Sequence, residues 1–304
     1  MMIRSRHRQH SECEQMRLNA HKRNTGYRGM PAMRRVKKDR SDSIVVFISY
    51  AMEDSKEAGS LHRLLATLGF DCFLAHKDIR KGERWRDAIL RELRASDAFV
   101  VLLSEHGVGS CWVQQESGMA HLLHCGNRRP LIIPVVPKGE LPPGCLSEYQ
   151  AQEIGLTFWL SKLDVGSSVA GNVARTMIDH LDCLPLVKPK AISNLKSAAI
   201  EDFAFVLTFL VNCGNVAFSE FLTILNHSIT HPKVAITDAV MTQLYALLEV
   251  HRSELDKLPD WVKAWNRLHQ RYVEHKEAVR RQQEEMLRSM QRAMRKSEES
   301  NKSV

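Results

Sequence analysis

Three short and nearly unbroken apolar runs constrain this chain most: Ile44–Tyr50 (IVVFISY), Ala98–Leu103 (AFVVLL) and Leu131–Val136 (LIIPVV). Each is strand length, rich in β-branched residues and without apolar–polar alternation, as expected of strands covered on both faces. Between them the spacing turns helical. Asp54–Leu68 aligns Leu61, Leu64, Leu65 and Leu68 and stops at Gly69, and Trp85–Leu93 aligns Trp85, Ile89, Leu90 and Leu93. Phe70–Leu74 reads as a further strand, residues 75–83 as a polar loop containing Gly82, and Leu156–Leu160 as a fifth strand before a helix over 168–181. Gly107 and Gly109 ease the loop before Ser110, which suits the N-cap of a helix running towards Cys125. Pro134 predicts that its strand is peripheral or that pairing breaks there. The alternation defines an α/β class: a five-stranded, mostly parallel sheet in a flavodoxin-like doubly wound arrangement. Ligands gather at the carboxyl ends of such strands, here Ser49–Tyr50, Ala75–Asp78, Ser104 and Pro137.

The pattern changes after Pro185–Pro189 (PLVKP), which predicts a hinge. Helical stripes through Phe203–Leu210, Phe218–Leu225 and Ile236–Leu248 predict an all-α domain, and the last forty residues a single charged helix. In that helix Val279, Met286 and Ala293 recur at seven with Met290 between them, while Gln282 and Gln283 interrupt the seam. Self-association and a plain solvated helix both fit. The organisation is therefore a disordered basic segment (1–40), an α/β domain (41–185), a helical domain (186–261) and a long helix (262–304).

The formal charge of +8 is local. Twelve Lys/Arg within residues 1–40, against Glu12, Glu14 and Asp39, give that segment +9 and leave the rest of the chain at −1. A basic nucleic-acid-binding body is excluded. Seven cysteines without a CxxC pair match neither a disulfide framework nor a zinc knuckle, and free thiols in a reducing cytoplasm are the simpler reading. The longest apolar stretch, Phe203–Val211, is about half a membrane span.

Phosphate loops, GxGxxG fingerprints and nucleophile elbows are absent from the sequence. His121, His124 and Cys125 share one helix face, but three donors without a fourth read as an ordinary helix surface, so no metal is expected. One constellation remains. Ser110-Cys-Trp112-Val-Gln-Gln-Glu116 opens a helix just beyond the third of these strand edges, and Trp112 and Glu116, four apart, share a face. An aromatic plane beside a carboxylate can stack a flat ring and hold a developing cation. Spacing alone reads first as a packed tryptophan and a solvated glutamate.

The motifs in their order resemble a known family. Val46-Phe-Ile-Ser-Tyr50 followed by Glu53-Asp54 is similar to the first box of Toll/interleukin-1 receptor (TIR) domains. Ala75-His-Lys-Asp78-Ile-Arg-Lys-Gly82-Glu-Arg-Trp85 resembles the BB loop of bacterial TIR proteins, and Ser110-x-Trp112-x-x-x-Glu116 the helix bearing the catalytic glutamate of NAD-cleaving members. Leu131–Val136 and Gly144–Ala151 follow in the family's order, and the resemblance spans about residues 42–182. Where relatives often carry a base after the first box, this chain has Ala51.

The resemblance implies an NAD⁺ glycohydrolase that releases nicotinamide and yields ADP-ribose or a cyclic variant, in bacterial anti-phage defence. NAD⁺ is then the substrate, and no cofactor is needed. Nicotinamide leaves its ribose as a neutral molecule, so one carboxylate can serve where most glycosidases use two. The resemblance makes Glu116 catalytic and Trp85, Trp112, Tyr50, Ser49, Asp78 and Ser110 substrate-binding. Arg80, Lys81 and Gly82 of the BB loop would mediate TIR–TIR self-association. The helical C-terminal region would receive a protein or ligand trigger, and neither nucleic acid nor membrane is an expected partner. The alternative is a non-enzymatic signalling adaptor that assembles through the BB loop.

Overall fold

The computed structural model describes residues 43–75, 84–154, 166–213, 215–231 and 237–302. The expectations for residues 1–40, Asp78, Arg80, Lys81, Gly82 and a strand at 156–160 lie outside them. Five strands form one sheet: β1 (Val45–Ser49), β2 (Asp71–Leu74), β3 (Ala98–Leu102), β4 (Leu131–Pro137) and β5 (Gln152–Ile154). Their order is β2-β1-β3-β4-β5 and every pairing is parallel. This is the flavodoxin-like order, with its switch point between β1 and β3. The fifth strand is thus Gln152–Ile154, only three residues long.

Pro134 sits inside β4, which is interior rather than peripheral. Leu103 N–H donates to Val135 O at 2.9 Å, so the backbone of residue 135 faces β3 and that of Pro134 faces the other way. Pairing to β5 begins only at Val135, so the missing N–H of Pro134 breaks no ladder bond.

Alternation along β1 sends its side chains into two different cores. Phe47 joins Phe99, Val101 and Ile132, covered by Ile89 and Leu93 of α2 (Trp85–Ala95) and by Val113 and Ala120 of α4 (Cys111–Asn127). Val46, Ile48 and Tyr50 face α1 (Ser55–Thr67) and α5 (Gly166–Leu181). Residues 105–109, expected as loop, form the short helix α3 (Glu105–Gly109), capped where Ser104 Oγ accepts from Gly107 N–H at 3.0 Å. Only glycine fits at 107, because a Cβ there would stand 2.2 Å from Leu102 O.

The expected hinge is a helix. Both prolines lie in α6 (Leu184–Asn194). Pro185 falls in the first turn, where N–H groups have no intrahelical partner, so it costs nothing there. Pro189 removes one bond just beyond that turn, offset by burial of Val187, Ala191 and Ile192. Gly69 ends α1 with φ +97°, and its missing Cβ leaves room for Lys190 of α6. Four more helices follow: α7 (Ile200–Cys213), α8 (Phe218–Thr230), α9 (Asp238–Leu255) and α10 (Pro259–Lys302).

No apolar boundary separates these helices from the sheet. Phe203, Leu210, Phe221, Leu244 and Leu268 belong to the same cluster as Val46, Ile48 and Leu61. Arg63 of α1 is paired with Asp202 of α7, and Asn194 Nδ2 donates to Thr67 O at 3.0 Å. Ser41–Val304 is one compact unit.

Candidate active site

The carboxyl ends of β1 and β3 and the start of α4 meet at one edge of the sheet. Ser110 caps α4, accepting from Val113 N–H at 3.4 Å, so its hydroxyl orients the helix. Two turns in, Glu116 is 0% exposed and accepts a hydrogen bond from Ser49 Oγ at 2.5 Å. Its other oxygen, Oε1, is buried with no partner among the described residues. Burial raises the Glu116 carboxyl from its ordinary 4.5 to about 7, with the Ser49 hydrogen bond pulling the other way. A carboxyl so placed changes charge near neutral pH, as functional groups often do.

An aromatic pair lies at the same end of α4. Trp85 at the start of α2 and Trp112 in the first turn of α4 meet edge to face, with ring centroids 4.1 Å apart. Trp112 remains 37% exposed, and the Arg86 guanidinium lies 5.0 Å from the Trp85 centroid. The structure therefore brings together Ser49 with Glu116, and Trp85 with Trp112.

Tyr50 does not join them. Adjacent strand residues point to opposite faces, so with Ser49 turned to Glu116, Tyr50 enters the core on the other side and is 1% exposed. In this structure Tyr50 packs in that core rather than beside Glu116. The solvated glutamate that spacing alone suggests is corrected: Glu116 is buried.

Two features escaped the sequence. Asp54 is 4% exposed and accepts from Ser104 Oγ at 2.5 Å, tying the end of β1 to the end of β3. Burial raises the Asp54 carboxyl, opposed by the Ser104 bond. Its place in Glu53-Asp54 was visible, its partner fifty residues away was not. Arg86 carries no motif signal at all.

The histidines of α4 have ordinary partners. His121 Nδ1 meets Tyr149 Oη at 2.9 Å, His124 Nδ1 meets Pro130 O at 2.9 Å, and Cys125 Sγ lies 3.6 Å from His121 Nε2. Among the described residues no group of three or more His, Cys, Asp or Glu could hold a metal ion. The cysteines among them are free thiols, and no helix among them is long and apolar enough to cross a membrane.

Residues 46–161 match the family model described as the TIR domain. The chain carries a TIR domain. Beyond that domain's end the matched segment leaves the helices from α5 onward unassigned. One similar solved structure is "Structure of the activated Roq1 resistosome directly recognizing the pathogen effector XopQ (TIR domains)". It is 15% identical, covers 57% of this chain and 100% of its own, and superposes with a TM-score of 0.31. Among curated proteins nothing matches the chain.

Proposed function

We propose that this TIR domain cleaves the nicotinamide–ribose bond of NAD⁺. The observation that carries the reading is Glu116, a carboxylate buried at the carboxyl edge of the sheet, held by Ser49 through one oxygen and unpartnered at the other among the described residues. The chemistry needs one preorganised negative charge. As the C–N bond breaks, its electrons leave with nicotinamide and positive charge develops on the ribose, where the free Oε1 can bind a hydroxyl and stabilise the cation. The Trp85–Trp112 pair offers a surface on which a flat base can stack. Water then attacks the sugar to give ADP-ribose, or a nitrogen of the adenine attacks to give a cyclic product. Such an activity suits a bacterial defence enzyme that depletes NAD⁺, with TIR–TIR contacts and a trigger at the helical region setting when it acts.

A second reading has its own observation. Glu116 is wholly covered, which a scaffold that assembles without chemistry would tolerate indefinitely. The experiment that separates them is nicotinamide release from NAD⁺ by the full-length chain, because its shared core makes a truncated TIR fragment a poor substitute. Cleavage that falls on the order of 10²-fold or more in Glu116→Gln supports the enzyme. No cleavage by folded wild-type protein over a range of concentrations supports the adaptor.

A further inference from the structure

The C-terminal helix α10 has two halves. Its first turns are packed: Trp265 is 8% and Leu268 1% exposed, and Trp261, Val262 and Tyr272 rest on the core. The packed part closes at Lys276, whose Nζ reaches Asp238 Oδ1 at 3.3 Å and Tyr272 Oη at 3.2 Å. Beyond it the helix runs on to Lys302. From Val273 to Arg292 every side chain but that of Val279 is exposed, including Met286 at 64%, Leu287 at 58% and Met290 at 58%. The stretch from 273 to 302 is about 45 Å of helix at 1.5 Å per residue.

Charge on this stretch is one-sided. At about 100° per residue, Glu277, Arg280, Arg281, Glu284, Glu285, Arg288 and Arg292 all fall on one half of the circumference. From Glu277 to Arg292 the other half holds Val279, Gln282, Gln283, Met286, Leu287, Ser289 and Met290 and no charge, and Lys276, which falls on that half one residue earlier, is tied back to Asp238. That uncharged half is continuous with the face bearing Leu268 and Tyr272, which is packed on the body a few turns earlier. A helix that stays solvated on all sides has no reason to clear charge from one half of its surface, and its ion pairs, such as Arg280–Glu284 at 3.2 Å, can stand anywhere around it.

We infer that the uncharged face of α10 between Val279 and Met290 is an assembly surface whose occupant is the same face of a second copy of this chain. A partner with matching charges has nothing there to match. A second α10 presents an uncharged stripe of equal length with all its charges turned away, so like charges are not apposed. The seam of Val279, Met286 and Ala293 at seven, with Met290 and Gln283 between, has the spacing of a two-helix coil. Glutamine in that seam weakens association and fixes register, so the assembly is concentration-dependent. This inference is independent of the NAD⁺ reading and draws on none of its residues.

The test is the mass of the full-length chain by sedimentation or light scattering over about 1 to 100 µM, against a monomer of 34.7 kDa. Wild type is expected to shift from monomer to a multiple of that mass. Met286→Glu with Met290→Glu is expected to stay lower in mass at every concentration, and Arg281→Gln with Arg288→Gln, on the charged half, to behave as wild type. Gln283→Leu is expected to tighten association by roughly tenfold or more, since it buries an apolar side chain in the seam. That last variant guards against a glutamate pair that merely unfolds the helix end. Wild type monomeric throughout, or association unchanged in both the glutamate pair and Gln283→Leu, would overturn the inference.

Discussion

Glu116→Gln should raise stability while it removes activity, and the gain should depend on pH in a way the structure sets. The folded chain holds the Glu116 carboxyl at about 7 against an ordinary 4.5, mainly through burial. Between those values the folded state binds the proton and the unfolded state has released it, so stability falls as pH rises. The favourable contribution is complete below about 4.5 and is lost as pH passes through about 7. A shift of that size corresponds to about 3 kcal/mol at 1.36 kcal/mol per pH unit. Glutamine does not titrate, so the variant escapes this loss, and any fixed cost of its amide beside Ser49 is the same at every pH. The difference between variant and wild type should therefore move in the variant's favour by about 3 kcal/mol from pH 4.5 to pH 8. For a chain of this size that is roughly 6 to 12 °C in Tm. Other carboxylates titrate in both proteins and cancel in the comparison. Thermal or urea unfolding of the two proteins at several pH values measures it, and parallel pH profiles would refute the claim that Glu116 is buried and strained towards its neutral form.

Four further outcomes follow from the same geometry. Activity that requires ionised Glu116 should rise with pH through a midpoint near 7 in kcat/KM for NAD⁺, and a flat profile from pH 6 to 8 would count against it. Ser49→Ala removes the hydrogen bond that lowers the Glu116 pKa, so that midpoint should move upward; an unmoved midpoint would mean Ser49 does not hold the carboxylate. Trp112→Ala should raise KM for NAD⁺ while costing stability only about the 0.5–1.5 kcal/mol of one aromatic pair, because the ring is 37% exposed; a larger loss of Tm would recast it as a core residue. Gly107→Ala forces a Cβ into Leu102 O and should destabilise by about 1 to 3 kcal/mol, measured as a lower Tm without change in the Trp85–Trp112 contact.

Local signals in the sequence decided much of this protein. Apolar runs without alternation marked β1, β3 and β4 to within a residue or so at each end, because a strand covered on both faces must be apolar throughout. Ser110 announced the start of α4, since a cap acts within three residues of itself. Trp112 and Glu116 were legible as neighbours on one helix, whereas Ser49 and Tyr50, read together as substrate-binding, face opposite sides of the sheet. What the sequence could not carry were contacts between distant segments. Ser49 meets Glu116 across 67 positions and Ser104 meets Asp54 across 50, and no local pattern encodes such a pairing. Trp85 finds Trp112 only because α2 and α4 cover the same face of the sheet. Pro185 and Pro189 signalled a break by their own chemistry, yet burial of Val187, Ala191 and Ile192 kept the helix. Sequence thus determined which segments become strands and helices, because that is settled within a few residues. Tertiary packing alone decided which carboxylate loses its water, because desolvation is a property of everything that surrounds a side chain.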